Sequence, residues 1–229
     1  MMSAMNDLNK KALGGLLRLF VSLAAALFLP AWTLHYWQAW IFLAVFFGSI
    51  LPITIYLMKN DPNLLEGRIT AGPAAEKEKS QKIIQFVMSI VFIATCVLPA
   101  IDHRFGWSAV PLDAVAAGDI LVALGLLIVF LVFKENTFAS GSIKVHAAQR
   151  VVSTGPYAFV RHPMYFGALV MLLGMPLSLG SWWGLLAIVP MTAGIVWRLL
   201  NEEKLLAKNL PGYSEYRNIV AHRLLPFVW

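Results

Sequence analysis

Charged residues are scarce in this chain. Asp, Glu, Lys and Arg make up 13% of its 229 residues, whereas 59% are hydrophobic. Soluble domains contain about 25% charged and about 45–50% apolar residues. The composition therefore excludes an ordinary soluble domain and predicts an integral membrane protein, an all-α bundle of membrane-spanning helices.

Cysteine and clustered histidine are also missing. The single cysteine, Cys96, lies in an apolar run, so no intramolecular disulfide can form and a Cys-based metal site is not expected. The five histidines are scattered over several loops, and the sequence predicts no metal site. They are His35, His103, His146, His162 and His222.

Several well-known motifs have no counterpart here. The chain has no phosphate-binding P-loop, no His-Glu-x-x-His and no Gly-x-Ser-x-Gly. It also lacks facing Asp/Glu pairs in its apolar runs and an obvious inverted repeat, which are typical of ion-coupled transporters. These absences argue against P-loop nucleotide hydrolysis, zinc proteolysis, serine hydrolysis and proton-coupled transport.

Six apolar runs are long enough to suggest membrane spans. Short turns join the first to the second and the fifth to the sixth, which predicts about six spans in three hairpin-like pairs, followed by a cytosolic C-terminal segment. The runs cover residues 14–34, 37–58, 82–100, 112–133, 163–179 and 182–200.

The basic residues are distributed unevenly between the two sides of such a bundle. Of the 18 Lys and Arg residues, all but Arg104 fall on the side of the termini or at its boundary. Basic residues concentrate on the cytoplasmic side, which predicts that both termini are cytoplasmic. Because this asymmetry explains the net charge of +6, the charge is assigned to anionic membrane lipid and no nucleic-acid partner is predicted.

A shaped turn runs from Gly155 to Gly167 at a membrane boundary. Pro156 and Pro163 interrupt regular helix, so the turn should hold its polar and aromatic side chains close together. One interpretation is a functional site containing Arg161 and His162. The other is a set of interfacial anchors and an aromatic belt.

Three polar groups converge on the predicted cytoplasmic face: the loop 134–161, the turn at 161–163, and Arg198 with Glu202 and Glu203. Ionisable groups at membrane depth are costly and usually face a cavity or a partner. Arg198 and Glu202 have i, i+4 spacing, so an alternative is a snorkelling arginine that its own helix neutralises.

The order of these motifs resembles the isoprenylcysteine carboxyl methyltransferase family and the related membrane phospholipid methyltransferases. The resemblance covers about residues 145–229 and rests on 151–167, Arg198, 202–206 and 211–216. It implies a membrane methyltransferase that uses S-adenosyl-L-methionine, with N-terminal spans at 1–133 and a methyltransferase core at 134–229.

The resemblance also implies roles for particular residues. Arg198 and Glu203 would be catalytic, with Arg198 orienting the acceptor group and Glu203 contacting the cofactor or the reaction centre. If the acceptor needs deprotonation, Glu203 or His162 would serve. The cofactor pocket would be formed by Val151, Val152, Gly155, Tyr157, His162, Pro163, Tyr165 and Glu203.

Two departures from the family pattern leave the acceptor open. Gln149 stands where the family often has histidine, and one extra residue lies near 221–223. The expected partners are membrane lipids and a lipophilic acceptor from the bilayer: an isoprenylcysteine-like carboxylate, a lipid amine or a thiol. The alternatives are an NADPH-dependent membrane reductase of the sterol type and a non-catalytic membrane accessory protein.

Overall fold

A computed structural model describes residues 2–76, 78–141 and 149–229, with side chains from residue 5 onward. Eight α-helices and three short 3-10 segments make up its regular structure, and the described residues contain no strand. The helices are α1 (Met2–Ala31), α2 (Trp37–Asn60), α3 (Pro62–Ile69), α4 (Lys79–Phe105), α5 (Leu112–Glu135), α6 (Pro163–Ser178), α7 (Ile188–Asn209) and α8 (Tyr213–Ile219).

Five helical segments are long and apolar enough to cross a membrane: α1, α2, α4, α5 and the segment Trp183–Asn209 that contains α7. Helix α6 is apolar but has only 16 residues. At about 1.5 Å per residue it is about 24 Å long, shorter than a hydrocarbon core of about 30 Å. The predicted multi-pass helical bundle is confirmed, with five long spans and one short apolar helix.

Helix α6 packs mainly along α5, whereas the sequence predicts a hairpin between α6 and the span that follows it. The reason is a set of glycines at the α5–α6 contact. A Cβ atom at Gly125 would lie 2.5 Å from the carbonyl oxygen of Gly167, and one at Gly174 would lie 2.6 Å from that of Gly118. Since glycine has no side chain, the two backbones approach more closely than any other residue would allow.

The end of the bundle opposite the chain termini is joined by buried and partly buried hydrogen bonds. Asp102 is 1% exposed and accepts hydrogen bonds from Ser108 and from the Ser181 hydroxyl. Asp119, an acidic residue within α5, accepts one from the Ser178 hydroxyl on α6. These contacts give both carboxylates the partners that acidic groups need at membrane depth.

Apolar side chains cover the outside of the bundle, as expected of a lipid-facing surface. Leu29 and Val189 are among the many large hydrophobic residues that are exposed. Tryptophans gather where α1 and α4 end, where α2 begins and between α6 and α7, which marks a membrane–water interface. This group contains Trp32, Trp37, Trp40, Trp107, Trp182 and Trp183.

The polar groups that the sequence analysis singled out lie at the other end of the bundle, on the side of the chain termini. The C-terminal ends of α2, α5 and α7 and the N-terminal ends of α4 and α6 meet there, together with α3 and α8. This arrangement places residues 134–141 and 149–161 beside the segment 202–223.

Candidate functional site

A pocket lies at this polar end of the bundle, between the end of α5, the start of α6 and the α7–α8 segment. Its cavity volume is about 90 Å³, and the cavity opens to solvent. The wall is formed by residues 136, 138–140, 149–152, 157, 161–165, 202, 205, 206, 210, 213 and 216.

The turn before α6 has the rigid shape that its sequence predicts. Gly155 has φ 58°, a left-handed conformation that favours glycine, and it is the first residue of a 3-10 segment that ends at Ala158. A Cβ atom at Gly155 would lie 3.1 Å from the Glu135 carboxylate, which also accepts a hydrogen bond from Thr154. Pro163 occupies the first turn of α6, where its missing N–H costs nothing.

The C-terminal segment pairs with this turn through the backbone. The amides of Arg161 and His162 donate to the carbonyls of His222 and Arg223, both at 2.9 Å. The Arg161 guanidinium also donates to the carbonyl of Val220, at 3.3 Å. The end of the chain therefore fixes the position of one pocket wall, a contact that the sequence motifs did not predict.

Tyrosine hydroxyls give the pocket neutral hydrogen-bonding groups. Tyr157 accepts a hydrogen bond from Asn136 at 2.8 Å, and the Tyr157 carbonyl accepts one from the Tyr216 hydroxyl at 2.7 Å. Burial raises the pKa of Tyr157, Tyr213 and Tyr216. Their hydroxyls therefore remain protonated near neutral pH.

Glu202 provides the carboxylate of the pocket wall. Its Oε2 atom accepts a hydrogen bond from the Tyr165 hydroxyl at 2.6 Å. Sequence analysis treated Glu202 as a partner for Arg198 and did not include it among the site residues. Its position next to Glu203, at the end of the last span, is the signal that could have identified it.

Glu203 lies behind the pocket wall in a buried cluster of charges. Its Oε1 atom is 2.8 Å from the Nε atom of Arg161 and 3.4 Å from Nε2 of His162. Its Oε2 atom accepts a hydrogen bond from Arg223 at 3.1 Å. The carboxylate thus connects α7 to the turn and to the C-terminal segment.

Arg198 is buried next to the polar segment that precedes α4. Its Nη2 atom is 2.8 Å from the Glu76 carboxylate and donates to the Gly141 carbonyl at 3.0 Å, while Nη1 donates to Gln81 at 3.3 Å. The ion-pair partner of Arg198 is therefore Glu76, and not the i+4 neighbour Glu202.

The pocket wall contains six of the nine residues that the sequence suggested: Val151, Val152, Tyr157, His162, Pro163 and Tyr165. Gly155, Arg198 and Glu203 lie outside the wall, in the contacts described above. Asn136, Glu202, Tyr213 and Tyr216 are wall residues that sequence reasoning missed. Residues 142–148 of the predicted loop, including His146, lie outside the described residues.

This geometry defines a multi-pass membrane protein with a polar pocket at one end. The sequence model of the phospholipid methyltransferase family matches residues 114–211, just under half of the chain. The match extends from the start of α5 through α6 and α7 to the turn before α8. The family-level resemblance that the sequence motifs indicated is thereby confirmed over residues 114–211. No curated protein matches it in sequence.

Proposed function

We propose that this protein transfers a methyl group from S-adenosylmethionine to a lipophilic acceptor. The supporting observation is that the family match covers most of the pocket wall, including Tyr157, His162 and Tyr165. Methyltransferases of this family generally use S-adenosylmethionine. The proposed membrane is a bacterial inner membrane, with the pocket and both termini on the cytoplasmic side.

The residues of the pocket fit this cofactor. The Tyr213 hydroxyl is buried and has no hydrogen-bond partner among the described residues, so it is left for a ligand. The Glu202 carboxylate offers a negative charge to a cation and acceptor atoms to hydroxyl or amino groups. Leu205, Leu206 and Leu210 add an apolar surface on which an adenine ring could lie.

The protein's contribution to methyl transfer would be alignment and charge placement. S-adenosylmethionine supplies an already activated methyl group when it is bound. Glu202 would lie near the positive charges of the cofactor, and Tyr165 would hold the Glu202 carboxylate in place. Tyr157 would hold its part of the pocket wall in place through its hydrogen bonds with Asn136 and Tyr216.

His162 is the better-placed base if the acceptor is an amine or a thiol. It lines the pocket, whereas the Glu203 carboxylate lies behind the wall between two arginines. Glu203 would act as a positioning residue for His162 and Arg161. A carboxylate acceptor would need no base, and Arg198 would then help to orient the acceptor group.

Calorimetric titration of the purified protein with S-adenosylhomocysteine, with NADPH in parallel, tests the proposal. We expect micromolar binding of S-adenosylhomocysteine and none of NADPH, and weaker binding to His162→Ala. Arg104→Ala, at the opposite end of the bundle, is the control and should bind normally. Binding of NADPH alone would indicate the reductase, and binding of neither would favour the accessory protein.

A further inference from the structure

Arg68 is, after Arg198, a second candidate for binding the methyl acceptor. It lies outside the residues that the family model matches. It is near the end of α3, the short helix that follows the second span. The Asp61 side chain caps this helix by accepting from the Leu64 amide at 3.0 Å, and Leu64 and Leu65 are buried against the bundle. Helix α3 is therefore anchored, and Arg68 projects from a fixed element.

The Arg68 guanidinium has no carboxylate partner. All 12 Asp and Glu residues of the chain are among the described residues, and none lies within ion-pair distance of it. Its contacts are the ring of Phe133, with the centroid at 5.1 Å, and the Sδ atom of Met164, 3.6 Å from Nη1. The buried arginines Arg161 and Arg198, by contrast, each face a glutamate.

The surroundings of Arg68 make this lack of an acid unusual. The side chain is half-buried, and burial and then the nearby Arg198 lower its pKa. A cation removed from water without a counter-ion is unfavourable. An aromatic face and a thioether offset only part of that cost.

Arg68 lies beside the pocket wall and, unlike Glu203, is partly exposed. Its contact residue Met164 lines the pocket, as does Ser140, which packs against Gly67. A Cβ atom at Gly67 would be 3.3 Å from the Ser140 Cβ. An amphiphile with its polar end in the pocket could therefore bring a negative group to Arg68.

We propose that Arg68 binds an anionic group of the methyl acceptor, which would be an amphiphile carrying a carboxylate or a phosphate. The guanidinium presents several N–H donors in a planar fork that matches either group. Arg198 on α7, although paired with Glu76, adds positive potential near Arg68. This inference rests on the proposed function for the identity of the ligand as an acceptor.

The test is the binding of three octyl compounds to the full chain in an uncharged detergent, each below its micellar concentration. The compounds are octyl phosphate, octanoate and the uncharged octanol. We expect at least one anion to bind more tightly than octanol, and Arg68→Ala to weaken that anion about tenfold or more without changing octanol binding. Arg68→Lys should recover part of the affinity, and Arg104→Ala should retain all of it.

The two anions separate a phosphate acceptor from a carboxylate acceptor. If neither binds more tightly than octanol, or if Arg68→Ala binds both as the unmodified protein does, the inference is wrong. Arg68→Gln, which keeps much of the side chain's length without its charge, replaces Arg68→Ala if the latter does not fold.

S-adenosylhomocysteine titration of the same samples separates this inference from the proposed function. Normal binding of S-adenosylhomocysteine with no effect of Arg68 on the anions would leave methyl transfer in place and remove the anion site. Anion binding that depends on Arg68, without any S-adenosylhomocysteine binding, would support the site and count against methyl transfer.

Discussion

Two neighbouring glutamates on α7 have opposite surroundings. Glu202 lines the pocket and its described hydrogen bond comes from a neutral tyrosine, Tyr165. Glu203 is 4% exposed and lies between the cations Arg161 and Arg223. The first carboxylate is therefore available to a ligand, whereas the second holds three segments of the chain together.

Replacing Glu203 should destabilise the protein. Glu203→Ala would leave the buried Arg161 guanidinium without its counter-ion, and breaking a buried ion pair costs about 3–5 kcal/mol. Thermal unfolding in detergent would measure the loss. An unchanged unfolding temperature would contradict the role of Glu203 as a structural connection.

Glu202→Gln is the variant to compare with Glu203→Ala, and it should lower the affinity for S-adenosylhomocysteine. It keeps the size of the side chain and removes only the charge from the pocket wall. We expect nearly unchanged stability and S-adenosylhomocysteine affinity lower by about tenfold, because a charged hydrogen-bonding group is lost. Calorimetric titration gives the affinity, and normal binding would remove Glu202 from the cofactor site.

At the scale of elements, the α5–α6 contact depends on glycine. Gly125→Ala would place a methyl group 2.5 Å from a backbone oxygen of α6, so we expect a loss of about 1–3 kcal/mol or more. Gly48→Ala on α2 is the control, since no atom lies within 4 Å of a Cβ at that position. Equal unfolding temperatures for the two variants would contradict the tight contact.

The contact of α7 with the segment before α4 depends on the shape of arginine. Two guanidinium nitrogens of Arg198 reach three acceptors: Glu76, Gln81 and the Gly141 carbonyl. A lysine ammonium cannot span the same positions, so Arg198→Lys should lose transfer activity nearly as completely as Arg198→Ala. The transfer of radiolabelled methyl groups to membrane lipid extracts measures this, and full activity of the lysine variant would contradict it.

At the scale of the whole molecule, the division of basic residues predicts the orientation in the membrane. A fluorescent protein fused after Trp229 should fluoresce, since it would be in the cytoplasm. Alkaline phosphatase inserted in the loop 106–111 should be active, since that loop would be periplasmic. The reverse pattern would contradict the predicted orientation.

The helical architecture could be predicted because long apolar runs have few stable alternatives in lipid. The predicted α4, beginning near Lys82, differs from the observed start at Lys79 by less than one turn. The partner of α6 could not be predicted in the same way. Connection length suggested the following helix, whereas close backbone contact at Gly118 and Gly125 gave α5 as its main partner.

The sequence by itself determined that this is a multi-pass membrane protein with a segment similar to phospholipid methyltransferases, because composition and local motifs carry that information. Only the tertiary structure decided that Arg198 pairs with Glu76, that Glu203 lies behind the pocket while Glu202 lines it, and that the chain end closes the turn at Arg161. These contacts join residues far apart in the chain. Helical spacing within α7 gives no information about which distant segment packs against each face.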